Sequence, residues 1–249
     1  MGLLAPAFGV ATIGIAGAVL QALIATGVVS QYVVPLPSAV LAAVPRIFID
    51  EHMPGRFLLT STEIFAAGLL IVAVGVPAGF MLHNAPRMRQ AFEPWVAAWA
   101  AAPLVLAYPL FLVLFGRSPL TIIMLGFAAG VAPVVLKTIE GLAGARRVLI
   151  DVGRSLQATP RQLFRKIMLP AAMPSIFTGL RLGLTFSLIN IVGVEFLINF
   201  GGLGQLINEL SERYDLAGTY AAILFVLLVS VLFFAAMENA ERWLRHAHG

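Results

Sequence analysis

Residues 151–170 read DVGRSLQATPRQLFRKIMLP, a basic, helix-patterned segment inside a very apolar chain. Leu156, Leu163, Phe164, Ile167 and Met168 gather on one face of a helix, with Arg154, Arg161, Arg165 and Lys166 mostly elsewhere. Thr159 is a favoured N-cap residue, Pro160 suits the first helical position, and Gln162 completes a Thr-x-x-Gln capping box. The pattern predicts two short helices that meet at Ala158–Thr159. Pro170 and Pro174 then mark the entry to a long apolar stretch.

The surroundings explain why a basic segment stands out. The chain has 249 residues, 60% of them hydrophobic and 11% charged, and its mean hydropathy is +0.95. Soluble domains carry about 25% charged residues, so this composition indicates a polytopic membrane protein. The length suits one integral domain over residues 1–249, with no second soluble one. Cys is absent, which removes disulfides and thiol chemistry. A pI near 10.0 is read as Lys and Arg retained on one side of a membrane, not as a nucleic-acid surface.

A helix needs about 20 mainly apolar residues to cross the hydrocarbon core. Six stretches qualify, at about 3–29, 64–82, 94–116, 118–136, 171–198 and 216–237. The first has no basic residue before it and is too long for an ordinary signal-peptide core, so it reads as a retained span. Only the fifth holds charges, Arg181 and Glu195. With six spans, the N-terminus, 83–93, 137–166 and the C-terminal tail share one side, carrying 11 Lys and Arg against 4 on the other. The positive-inside rule places both termini in the cytoplasm. Residues 137–166 alone carry seven basic and two acidic side chains. Such basicity is what a loop that merely orients the protein would show. The capped helix–break–helix order argues for a surface with its own shape. On the opposite side, Ser38 is a candidate cap for a short helix, and 199–215 reads as a Gly-rich turn followed by an amphipathic helix with Leu206, Ile207 and Leu210 on one face.

The segment resembles the EAA loop of bacterial ABC-transporter permeases, E-A-A-x3-G-x9-I-x-L-P. Asp151 takes the acidic position, and Ile167, Leu169 and Pro170 take the closing I-x-L-P; Val152 and Gly153 replace the alanines and Gln157 the glycine. Gln adopts φ > 0 less readily than Gly, so the usual bend is the part of the pattern that the residues here do not support. PLPSAV at 35–40, AAPLVLAYPLFLVLFG at 101–116, TPRQLFRKIMLPAAMPSIFTGLRLGL at 159–184, and Glu195 followed by Gly202-Leu203-Gly204 are similar to elements of the nitrate/sulfonate/taurine-type permeases, in the same order. The resemblance implies an all-α, type I importer permease with six transmembrane helices and a cytoplasmic EAA-like loop over 137–170, in a bacterial inner membrane. It further implies a second permease copy as homodimer partner, an extracytoplasmic substrate-binding protein, and a cytoplasmic ABC ATPase dimer whose surface groove receives the coupling helix. Asp151, Arg154, Ser155, Leu156, Gln157, Ala158, Thr159, Arg161, Leu163 and Phe164 are then the ATPase-coupling residues. ATP and Mg would sit on the partner, since neither Lys137 nor Lys166 lies in a G-x4-G-K-[ST] loop, and no cofactor is expected in this chain. The solute would be of sulfonate, nitrate, taurine, pyrimidine or carboxylate type.

Arg181, Ser187, Asn190 and Glu195 are polar residues at membrane depth on the fifth span. Intramembrane charges face a cavity or a partner. Arg181 is a candidate for attracting an anionic solute, with a structural ion pair or snorkelling as the other reading. Ser187 and Asn190 either line a path or bond between helices. Glu195 either pairs across a dimer, gates the outer mouth, or is an interfacial carboxylate in water. Glu63 begins the second span and is expected near the outer surface. Trp95, Trp99 and Trp243 are read as interface anchors, and His52, His83, His246 and His248 match no common metal spacing. A membrane enzyme would need clustered acid–base groups, yet Arg181 and Glu195 lie about 21 Å apart along a helix at 1.5 Å per residue. A scaffold that holds a soluble partner without transporting remains a second reading.

Overall fold

A computed structural model describes the backbone of residues 4–246, and the side chains of residues 8, 9, 11–239, 241 and 242. Leu3 of the expected first span, the Trp243 and His246 side chains, and His248 lie outside what is described. The described residues form helices and no strand: α1 (Leu4–Ala25), α2 (Pro37–Ile49), α3 (Met53–Asn84), α4 (Pro86–Ala101), a 3₁₀ turn (Leu104–Ala107), α5 (Tyr108–Phe115), α6 (Pro119–Ala143), α7 (Arg147–Ser155), α8 (Pro160–Leu163), a π turn (Phe164–Met168), α9 (Leu169–Ile198), α10 (Gly202–Glu212) and α11 (Leu216–His246).

The core is a three-helix layer, with α6 between α3 and α9. Small residues permit this. A side chain on Gly183 would meet the Gly130 carbonyl oxygen at 2.5 Å, so the backbones of α6 and α9 touch. Close approach of this kind brings dispersion contact and carries helix association where lipid competes for apolar surface. Around it, α11 turns Leu224, Leu227, Leu228, Val231 and Leu232 outward, and α3 exposes Phe65, Leu69 and Val72. An exposed apolar shell of this extent is what hydrocarbon, not water, accommodates.

By length and composition, four described helices are able to cross a membrane, or five if one bent pair counts as a single span. The bent pair corrects the expected continuous span at 94–116. The chain is helical from Pro86 to Ala101, turns by 90°, and resumes at Leu104. Pro103 is the cause: its ring excludes the α region for Ala102, which takes φ −73°, ψ 137°. Helix α1 ends at Ala25, before the expected boundary at 29.

Two further boundaries shift. Helix α3 starts at Met53, more than two turns before the expected 64, and Glu63 therefore lies inside the helix and is buried. Helix α2 is capped by Leu36 without a side-chain bond. Ser38 sits inside its first turn, where Gln21 satisfies it: the Ser38 N–H donates to Gln21 Oε1 at 3.2 Å and Gln21 Nε2 donates to Ser38 Oγ at 3.1 Å. Helix α10 forms as expected, with Leu206 and Leu210 fully buried and Ile207 packed beside them.

Candidate functional site

The segment at 147–168 stands at the end of the bundle where α6 gives way to α9. Helix α7 ends at Ser155, and the chain turns through Leu156–Thr159 into α8. The capping box is complete: the Gln162 N–H donates to Thr159 Oγ1 at 3.3 Å, and the Thr159 N–H donates to Gln162 Oε1 at 2.8 Å. The second helix is not a separate short one. Pro160 opens 39 residues that run to Ile198 as one apolar helix. Pro170 falls within the first turn of α9 and Pro174 inside it, so neither breaks the run. A π turn over Phe164–Met168 absorbs the Pro170 ring's lost hydrogen bond.

Gln157 adopts φ 55°, the left-handed conformation for which the family pattern reserves glycine. The bend therefore survives the substitution. Backbone bonds hold it: the Gln157 N–H reaches the Arg154 carbonyl at 2.9 Å and the Ala158 N–H reaches Gly153 at 3.0 Å. This 6→1 closure is a helix C-terminal motif. Leu163 turns inward, as Gly153 lacks a side chain where Leu163 Cδ2 lies 2.5 Å from the ideal Cβ position. Phe164 packs on Phe80 of α3, the rings tilted at 52° with centres 4.6 Å apart. Leu163 and Phe164 thus seat the hairpin on the bundle. The free apolar surface comes instead from α7 and its exit: Val148 is 71% and Leu156 77% exposed, with Leu149 and Val152 beside them. Asp151, Arg154, Ser155, Gln157, Thr159 and Arg161 surround that strip and are exposed, and Ala158 is half-buried. Arg154 lies 3.5 Å from Asp151, one turn back.

The intramembrane residues do not converge on one cavity. Arg181 pairs with Glu241 of α11 at 3.4 Å and lies over the Phe234 ring at 5.2 Å. Thr178 adds a bond to Glu241 at 3.2 Å. Ser187 is buried where α6 offers only Gly126. Asn190 donates to the Phe186 carbonyl of its own helix at 2.9 Å. Glu195 is wholly buried: Oε1 accepts from Thr60 Oγ1 at 2.6 Å, and Oε2 accepts from the Gly204 N–H at 2.8 Å. Between α3, α9 and α11 lies an apolar groove of about 620 Å³, bordered by Phe57, Ile64, Leu184, Leu188 and Phe233.

At the far end, ion pairs tie α10 and the turn that follows it to their neighbours. Arg213 grips both Glu51 oxygens at 2.9 Å, Arg56 meets Glu209 at 2.6 Å, and Arg46 bonds Asp215. The Arg213 hydrogen bond holds the Glu51 carboxyl below the usual carboxylate range, against the opposing effect of burial. In return it raises the Arg213 guanidinium.

The family model described as "Binding-protein-dependent transport system inner membrane component" matches residues 71–246. The chain belongs to this family. The taurine transport system permease protein TauC of Escherichia coli strain K12 is 27% identical over 226 residues, 89% of this chain and 82% of that one. The formylaminopyrimidine transport permease protein ThiX of Halalkalibacterium halodurans is 27% identical over 207 residues, 83% of each chain. Among solved structures, the inward-facing MetNI methionine ABC transporter superposes with a TM-score of 0.68 at 18% identity, covering 80% of this chain and 98% of that one. The likeness to MetNI is one of fold. The chain is thus a multi-pass inner-membrane permease of a binding-protein-dependent ABC importer, not an enzyme, and ATP hydrolysis belongs to a separate subunit.

Within this permease, sequence reasoning missed three partners. Thr60 bonds Glu195 across the α3–α9 contact with Glu63 buried one turn further along α3, and Glu241 meets Arg181 from α11. Span-by-span reading treats each helix alone. A signal was present in the spacing: Thr60, Glu63, Ala67, Ile71 and Gly75 repeat every three or four residues along one buried stripe of α3.

Proposed function

We propose that two copies of this permease form the path of an importer for a small polar organic solute, with both termini in the cytoplasm. The exposed apolar strip on α7, ringed by Arg154 and Arg161, docks in a groove of each ATPase subunit. ATP-driven closure of the ATPases then biases the pair between inward- and outward-facing states. A ligand moves such an equilibrium only through differential contact with the two states, and α7 supplies that contact.

The observation that carries this reading is the seating of α7. An apolar helix displayed to solvent costs stability unless a partner covers it, and burying Val148 and Leu156 contributes about 1.5–3 kcal/mol each. Gly153, Leu163 and Phe164 anchor the strip to α9 and α3, so a force on α7 reaches the span directly. The similarity to taurine and formylaminopyrimidine permeases at equal identity supports the solute class of sulfonate or small heterocycle without favouring either. Arg181 is occupied by Glu241, which favours a path that recognises its solute through other groups.

Reconstitution tests the function. The permease, its ATPase and its binding protein in liposomes should accumulate the binding protein's ligand only with ATP. Accumulation without ATP, or ATP turnover indifferent to the binding protein, would contradict an importer.

A further inference from the structure

Glu63 of α3 is 1% exposed and Glu195 of α9 is 0% exposed, and Thr60, one turn before Glu63 on the same buried stripe of α3, bonds Glu195, which brings both carboxyl groups to one dry contact between α3 and α9. Their surroundings differ. Both Glu195 oxygens already accept: Thr60 Oγ1 at 2.6 Å on one, the Gly204 N–H at 2.8 Å on the other. Thr60 in turn accepts from the Leu203 N–H at 2.9 Å, so its hydroxyl hydrogen is committed to Glu195. Leu203 and Gly204 are in the first turn of α10, where the unpaired N–H groups and the helix dipole favour a negative charge. Among the described residues no donor reaches either Glu63 oxygen.

Among the described residues no cation is placed to neutralise a second charge. Arg56 on α3 pairs with Glu209 of α10, and Arg117 before α6 bonds the Asn199 carbonyl. On α6, Lys137 pairs with Glu140, near the other end of the helix. Asp215 ahead of α11 is taken by Arg46, and Glu212 of α10 accepts from Asn208. The stretch of α11 from Leu216 to Met237 has no charged residue. Two facing carboxylates in a dry site do not both stay ionised.

We infer that Glu63 is a proton-binding site: it holds one proton and donates it to Glu195, which remains the anion at the N-terminus of α10. The ligand is a proton and not a metal cation, because both Glu195 oxygens are already engaged by donors and no cluster of three His, Asp or Glu able to hold a metal ion occurs among the described residues. The O–H···O⁻ bond then joins α3, α9 and α10, and alkaline pH, by removing the proton, sets two anions against each other and loosens that joint. None of this requires the transport assignment.

The asymmetry is the test. In the purified permease–ATPase complex, Glu63→Gln keeps a donor toward Glu195 and should match wild-type thermal stability at neutral pH. It should also abolish the loss of Tm that the wild type shows as pH rises. Glu195→Gln places an amide N–H against a donor and should lower Tm or prevent folding. Difference infrared spectra of wild type minus Glu63→Gln should contain the C=O stretch of a protonated, buried carboxylic acid, shifting in D₂O. The inference is overturned if that band is missing, if Glu63→Gln destabilises while Glu195→Gln does not, or if the alkaline limb persists in Glu63→Gln. Sodium-dependent stability that Glu63→Gln removes would assign the site to a metal cation instead and would equally overturn it.

Discussion

At the scale of single residues, Gln157 shows how a backbone conformation outlives the residue that suits it. Its φ of 55° costs a non-glycine residue about 1 kcal/mol, yet the surrounding bonds from Gly153 and Arg154 keep it there. Gln157→Gly removes that strain but adds unfolded-state entropy, so the expected gain is small, about 0.5 kcal/mol. Gln157→Val, β-branched at a positive φ, should lose about 1–2 kcal/mol. Thermal unfolding of the two variants beside wild type checks both. The sequence reading assigned the acidic and closing positions of this loop to Asp151 and to Ile167, Leu169 and Pro170, and expected the bend to suffer. Motif letters describe residue preference, whereas the bend is set by where the neighbouring N–H groups find carbonyls.

Among the elements, the capped turn and the α10 ion pairs hold different ends of the bundle. Thr159→Ala should cost about 1 kcal/mol, a typical loss for an N-cap, because it releases the Gln162 N–H as well as the hydroxyl. Loss of thermal stability, with insertion into the membrane unchanged, is the readout. The Glu51–Arg213 pair makes a pH prediction. The folded-state carboxyl titrates below its unfolded value. Its contribution is therefore present above the ordinary carboxylate range and is lost as pH falls through the folded value. Glu51→Gln should lower Tm at neutral pH, and the difference from wild type should vanish in acid. Arg213 is largely exposed, so the effect is modest and falls with salt. Periodicity and cap chemistry made α10 and the capped turn legible beforehand. The 90° break at Ala102–Pro103 was less so, since hydropathy sums along the chain and is blind to direction; only the restriction that Pro103 puts on Ala102 carried that signal.

For the molecule as a whole, α11 is the outlying helix, lipid-exposed along much of its length and joined to α9 by the Arg181–Glu241 pair. Removing one partner of a mostly buried pair leaves an uncompensated charge and costs about 3–5 kcal/mol. Arg181→Met should therefore destabilise strongly, and the exchange Arg181→Glu with Glu241→Arg should restore part of the loss. Detergent-resistant folding of the full chain reads this out. Such long-range pairs, like Thr60 with Glu195, were not legible from separate spans, because each forms between helices more than fifty residues apart. What the chain did disclose was its membrane class, its basic loop and the order of its motifs. The central claim built on them is that α7 transmits the ATPase stroke. Its most direct test is co-purification of the ATPase with wild type and with Leu156→Asp/Arg161→Glu, both exposed positions away from the packed core. The expected result is loss of the ATPase from the double variant while the permease still inserts and folds; unchanged ATPase recovery would contradict the account.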